Sequence, residues 1–206
     1  MTRTPKGHFS RRMRLALGWV ASLWLVVSCA QDEVVNDLQR KPYFDLPALV
    51  QQQLYWLDSL NPLVKIQARI GAETATETLQ KDSAAWAETL QLFQQVDINR
   101  PVFQGSYEES DSVADDGRIK TYRHRQKNAE VPYLRVYYRD SLSNVYRIET
   151  AFQEDNVLYS TYRSMKMTFT PHRKKPRLIA FETIGRQKMM LRDSVTYVTR
   201  GELRYE

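Results

Sequence analysis

The chain has 206 residues, with 30 Lys and Arg against 24 Asp and Glu, three His and a single Cys. One thiol excludes an intramolecular disulfide framework. The net charge of +6 is no argument for nucleic acid, because five basic residues and no acidic one fall within residues 1–14.

That basic start, MTRTPKGHFSRRMR, leads into LALGWVASLWLVV, residues 15–27, which carries no charge. Thirteen residues at about 1.5 Å each cover roughly 20 Å as a helix, too short for a hydrocarbon core of about 30 Å. A basic start, a short apolar run and a small residue at its end predict a secretory signal peptide over residues 1–28. Val26-Val27-Ser28-Cys29 then resembles the lipobox of bacterial lipoproteins. The resemblance implies signal-peptidase recognition through Val26, Val27 and Ser28, cleavage before Cys29, and lipid attachment to Cys29. Ser10-Arg11-Arg12 resembles a twin-arginine export signal, but Arg14 stands where that motif takes an apolar residue, which favours the general secretory route. Ala30 in place of an aspartate favours delivery to the outer membrane. Gln31-Asp32-Glu33 looks like the acidic surface-export signals of Bacteroidota lipoproteins, and a solvated linker accounts for it equally.

Beyond residue 28 the charge is nearly balanced, and it is divided along the chain. Residues 29–117 hold 6 basic and 15 acidic side chains, and residues 118–206 hold 19 and 9. Two halves of opposite sign dock on each other without a partner, or else turn one face toward anionic headgroups. The sequence predicts a tether over residues 29–42 and one domain over 43–206, stabilised by aromatic burial rather than cross-links.

Asp45 is placed to cap a helix from Leu46, with Pro47 in its first turn and Leu46, Leu49, Val50, Leu54, Leu57 and Leu60 as its buried stripe. Asn61-Pro62 ends it. Val64, Ile66, Ala68 and Ile70 alternate with polar residues, and Gly71-Ala72 turns the chain into a Thr-rich second strand. A second helix is predicted over about 83–96, burying Trp86, Leu90 and Phe93. From Arg100 onward strand periodicity takes over, in runs near 102–109, 118–125, 133–139, 145–153, 157–169, 177–186 and 194–205. The predicted fold class is α+β: a curved antiparallel meander, with a half-barrel as its more closed form, and two N-terminal helices covering one face. YFDLPALVQQQLYWLDSLNP (43–62) and VDINRPVFQGSY (96–107) resemble uncharacterised lipoproteins of the Bacteroidota, which share this order of elements. The resemblance implies an architecture and no activity.

Residues that could carry chemistry are sparse. His124 lies between two arginines, and no Gly-x-Ser-x-Gly elbow is present. Asp111, Asp115 and Asp116 in EESDSVADDG could face calcium, but their spacing departs from the calcium-loop pattern and a hairpin turn explains them equally. The segment PHRKKP and the residue after it offer Arg173, Lys174, Lys175 and Arg177 as candidate anion contacts, or a solvated long turn framed by Pro171 and Pro176. Met165, Met167 and Phe169, like Met189 and Met190, line an apolar pocket or belong to the core. No metal or cofactor is called for. The expectation is a membrane-anchored, non-enzymatic envelope module with a lipid or protein partner and no nucleic acid. The alternative is a hydrolase built on carboxylates such as Asp111 or Asp116.

Overall fold

A computed structural model describes residues 41–172 and 175–205. The signal segment, Val26, Val27, Ser28, Cys29 and the tether as far as Arg40 lie outside the described residues, as do Arg173 and Lys174.

Helix α1 spans Leu46–Leu60, and Asp45 caps it as its sequence predicts: Ala48 N donates to Asp45 Oδ1 at 3.1 Å. Asn61 closes the helix in the left-handed region, its N–H reaching Leu57 O at 3.0 Å, and Pro62 prevents continuation. The buried stripe differs from the expected one. Leu46, Val50, Gln53 and Leu57 face the core, while Leu60 is 47% exposed. A glutamine thus stands where a leucine stripe was expected, because the surface beneath it has backbone groups to satisfy.

Strands β1 (Leu63–Ile70) and β2 (Glu73–Gln80) form a hairpin, turned at Gly71 with φ +58°. Helix α2 (Ser83–Gln94) is capped by Asp82, which accepts from Ala85 N at 2.8 Å, and buries Trp86, Leu90 and Phe93 completely. The strand expected from residue 102 begins only at Tyr107. Pro101 fixes φ at the head of a short 3-10 turn, Pro101–Phe103, and Gly105 at φ +68° redirects the chain.

A meander follows: β3 (Tyr107–Ala114), β4 (Gly117–His124), β5 (Tyr133–Tyr138), β6 (Val145–Asp155), β7 (Tyr159–His172), β8 (Lys175–Met189) and β9 (Val195–Arg204). The sheet order is β2-β1-β9-β8-β7-β6-β5-β4-β3, antiparallel throughout, curved and unclosed. The fold class is therefore the α+β arrangement that periodicity predicts. Both edges are polar: β2 is rich in Thr and Glu, and β3 carries Glu108, Glu109 and Asp111. Such edges resist pairing with another chain.

Two expected turns prove to be strand. Most of the acidic segment 108–117 belongs to β3, where Glu108 and Asp111 lie opposite Arg123 and Lys120 of β4, so the acids have cationic partners. Likewise β7 and β8 continue through the prolines, with Pro171 opposite Pro176 and His172 opposite Lys175. The prolines are tolerated because this hairpin outruns its neighbours. Pairing of β6 with β7 stops at Arg147 and Thr168, and pairing of β8 with β9 stops at Ala180 and Glu202. Beyond those positions each strand has a free side, where a missing N–H costs no ladder bond.

One face of the sheet carries Leu134, Ile148, Met165, Met167, Phe169, Leu178 and Phe181, all buried in one core with both helices. Met165, Met167 and Phe169 are thus core residues. The aromatic side chains are accommodated by glycine: a Cβ on Gly201 would collide with the Phe181 ring, and one on Gly185 with the Tyr197 ring.

Candidate functional site

Among the described residues no helix covers the opposite face, and its residues are ordered by register. Arg135 of β5 lies opposite Glu149 of β6, Glu149 opposite Lys166 of β7, Lys166 opposite Glu182 of β8, and Glu182 opposite Arg200 of β9. This row alternates in sign across five strands. Arg135 and Arg147 approach Glu149 at 3.9 and 3.6 Å, Lys166 approaches Glu182 at 3.9 Å, and Arg200 pairs with Glu182. Each exposed pair contributes about 0.2–1 kcal/mol, so the row fixes register more than it stabilises.

Arginine–tyrosine stacks surround the row. The Arg147 guanidinium lies 4.1 Å from the Tyr137 ring centre, and that of Arg135 lies 4.9 Å from Tyr133. Tyr137 OH donates to Glu149 Oε2 at 2.8 Å, and burial together with that carboxylate raises the Tyr137 pKa. The result is a polar surface of alternating charge, with some of its cations backed by aromatic rings, suited to carboxylate, phosphate or polar headgroup contact.

At one end of the strands a polar groove of about 810 Å³ runs along Glu154, Ser160, Thr161, Tyr162 and Arg186. A second, of about 560 Å³, shares Glu130, Phe152 and Glu154 with it and is bounded by Asp97, Arg100 and Arg163. Arg100 and Glu130 close to 2.7 Å across that floor. Both grooves lie open to solvent.

The residues singled out by sequence are scattered. Cys29, Val26, Val27 and Ser28, and the cations Arg173 and Lys174, lie outside the described residues. Lys175 is exposed at the hairpin end. Arg177 lies 4.2 Å from the Tyr205 ring centre, so its role is partly structural. Burial pushes the Tyr205 hydroxyl up to about 12, and it donates to Leu178 O at 2.5 Å. His124 accepts from Gln126 N at 3.0 Å and packs 4.9 Å from Tyr107. His172 packs edge-on to Trp56 at 5.7 Å.

Lys120 Nζ reaches Glu109 at 2.9 Å and Asp111 at 3.1 Å. The Glu109 bond is the main reason the lysine pKa is raised above its ordinary value. Asp115 and Asp116 form the β3–β4 turn, and no group of three or more His, Cys, Asp or Glu placed to hold a metal occurs among the described residues. The calcium and carboxylate readings therefore gain no assembled site among those residues. Met189 and Met190 are neither core nor pocket wall of a closed cavity; both stand exposed at the β8–β9 turn.

Sequence reasoning missed the alternating row, because neighbours across a sheet are far apart in the chain. Its signal was present only as i, i+2 alternation within single strands.

The fold and site define an α+β protein with an open antiparallel sheet, one face cored by helices and the other a charged surface. No helix among the described residues is long and apolar enough to cross a membrane. No family model matches the chain, and no curated protein matches it. Among solved structures, a LolA superfamily protein from Nitrosomonas europaea is similar over 80% of this chain and 96% of its own, at 10% identity and a TM-score of 0.27. A likeness that small identifies neither family nor ligand.

Proposed function

We propose that the chain is a membrane-tethered envelope lipoprotein, anchored through lipid on Cys29 at the outer membrane, whose folded domain is a non-enzymatic module that contacts a lipid surface or an envelope protein. The position of the single thiol carries this reading. Cys29 directly follows an uncharged run of signal-peptide length and Ser28, and a short polar stretch separates it from the domain. The charged open sheet face supports the binding role, since it offers an extended polar surface with cations held on aromatic rings. The helix-covered face is filled by side chains such as Met167 and Leu178, which favours surface contact over carriage of a lipid inside the domain. The carboxylate hydrolase alternative has less support: Asp111 is engaged by Lys120 on an exposed edge strand.

Labelling with fatty acid in cells tests the anchor. The parent chain should incorporate label and fractionate with membranes, and Cys29→Ala should lose both. Label retained by Cys29→Ala overturns the anchor assignment. Native mass spectrometry of residues 30–206 tests the mode of binding. A bare protein mass is expected, and a phospholipid lost on denaturation would make the domain a carrier instead.

A further inference from the structure

Two turns at one end of the sheet present apolar side chains to water. Val157 and Leu158 occupy the β6–β7 turn, Met189 ends β8, and Met190 and Leu191 begin the β8–β9 turn, with Val157 87% and Leu191 96% exposed. Solitary surface apolar residues need no explanation, but five on two adjoining turns do. The turns are joined by Met190 N donating to Leu158 O at 2.8 Å. They are also held in shape. Asn156 Oδ1 accepts from Leu158 N and Tyr159 N at 2.9 and 3.0 Å, which fixes Val157 at the tip. Leu191 has φ +66°, a conformation unfavourable for a branched apolar side chain, yet it makes no buried contact that would offset the strain. Strain without internal packing points outward, to something that leucine meets.

The chain enters the domain at the same end. Tyr43 packs at 5.3 Å on Tyr107, the first residue of β3, and Tyr43 N donates to Asn99 Oδ1 at 3.0 Å. From there contacts run directly to the turn: Arg100 to Glu130, and Gln153 N to Glu130 O at 2.8 Å, three residues before Asn156. The eleven residues between Cys29 and Lys41 span about 40 Å when extended and roughly 20 Å as a coil.

We infer that this pair of turns is a bilayer-docking tip, in which Val157, Leu158, Met189, Met190 and Leu191 enter the headgroup–acyl boundary. The inference rests on the anchored reading of Cys29 for its orientation and not for its chemistry. A bilayer fits better than a protein, because the tip projects as two turns and a protein partner would have to supply a matching cavity. Flanking charges of both signs, Lys188 and Arg192 beside Asp155 and Asp193, make apolar burial the main attraction. Docking is then only weakly sensitive to salt, unlike binding through a basic patch.

Flotation of residues 30–206, which lack Cys29, with vesicles of phosphatidylethanolamine and phosphatidylglycerol isolates the tip from the anchor. The parent should float with vesicles at low and high salt. Val157→Asp/Leu191→Asp should reduce the bound fraction about tenfold or more, because each buried apolar side chain is replaced by a charge. Both positions are exposed and Asp tolerates the left-handed backbone at position 191 better than Leu, so the double variant should unfold no lower than the parent. In a second readout, the tryptophan introduced by Leu191→Trp should shift its emission to the blue when vesicles are added. A parent that stays at the bottom of the gradient, a double variant that floats equally, or a Leu191→Trp variant whose emission vesicles leave unmoved would each overturn the docking tip. Fatty-acid labelling of Cys29→Ala in the full chain reports on the anchor separately, so either idea can fail alone.

Discussion

Replacing Gln53 tests the latch that holds α1 on the sheet. Gln53 is 1% exposed, and its amide bridges two backbone groups of β8: Gln53 Nε2 donates to Pro176 O at 2.9 Å, and Leu178 N donates to Gln53 Oε1 at 2.8 Å. These groups lie on the stretch where β9 no longer pairs, so the side-chain amide supplies the bonds a further strand would have made. Gln53→Leu keeps the volume and removes both partners. Each orphaned buried group costs about 1–3 kcal/mol, so the variant should lose about 2–5 kcal/mol, or roughly 6–12 °C in Tm for a loss near 3 kcal/mol. Urea unfolding of residues 30–206, followed by far-ultraviolet circular dichroism, measures this. Gln53→Glu adds a pH signature. Its carboxylate can still accept from Leu178 N, but only the protonated acid can donate to Pro176 O. Burial and that bond raise the folded pKa above the unfolded value of about 4.3, so the variant is least impaired below pH 4 and loses stability as pH rises toward the folded pKa. A Gln53→Leu variant within about 0.5 kcal/mol of the parent, or a Gln53→Glu deficit flat from about pH 4 to 8, would refute the latch.

Other expectations follow from the same geometry. Gly201→Ala places a methyl against the buried Phe181 ring and should cost about 1–3 kcal/mol in urea melts, whereas an unchanged midpoint would mean the ring moves freely. Tyr205 has a folded pKa of about 12 against 10.0 unfolded, so its contribution is complete below pH 10 and lost as pH rises toward 12. Tyr205→Phe should make that alkaline decline shallower, and an identical slope would count against the burial of this hydroxyl. Glu182→Lys sets like charges against Lys166 and Arg200 and should cost about 1–2 kcal/mol at low salt. Adding Lys166→Glu should recover part of that loss, and no recovery would show the row to be energetically silent.

Much of the fold was legible because its signals are local. Asp45, the leucine spacing and Asn61-Pro62 mark α1, and alternation marks β1 and β6. Two signals misled. The acids of β3 read as a turn because their partners Arg123 and Lys120 lie on another strand. Pro171 and Pro176 read as turn boundaries because the free sides of β7 and β8 are a property of neighbouring strands. Gln53 is absent from the expected stripe, since nothing near it in the chain foretells Pro176 and Leu178. The docking tip is likewise formed by two turns some thirty residues apart, each of which taken alone resembles core sequence.

The sheet contains one long-range seam: β1 pairs with β9 from Leu63 opposite Arg204 to Ile70 opposite Tyr197. Every other pairing joins strands that are consecutive in the chain. A chain emerging N-terminus first can form the β1–β2 hairpin and the two helices early. The inner edge of β1 stays unpaired until the last strand arrives, and α1 has no β8 to grip until residue 178 is present. Closure is thus the final event in synthesis order, and a strand pairing of such sequence separation is slow. Until then the edge of β1 that will meet β9 remains open. Loss of β9 should leave β1 as an exposed edge rather than merely shorten the sheet.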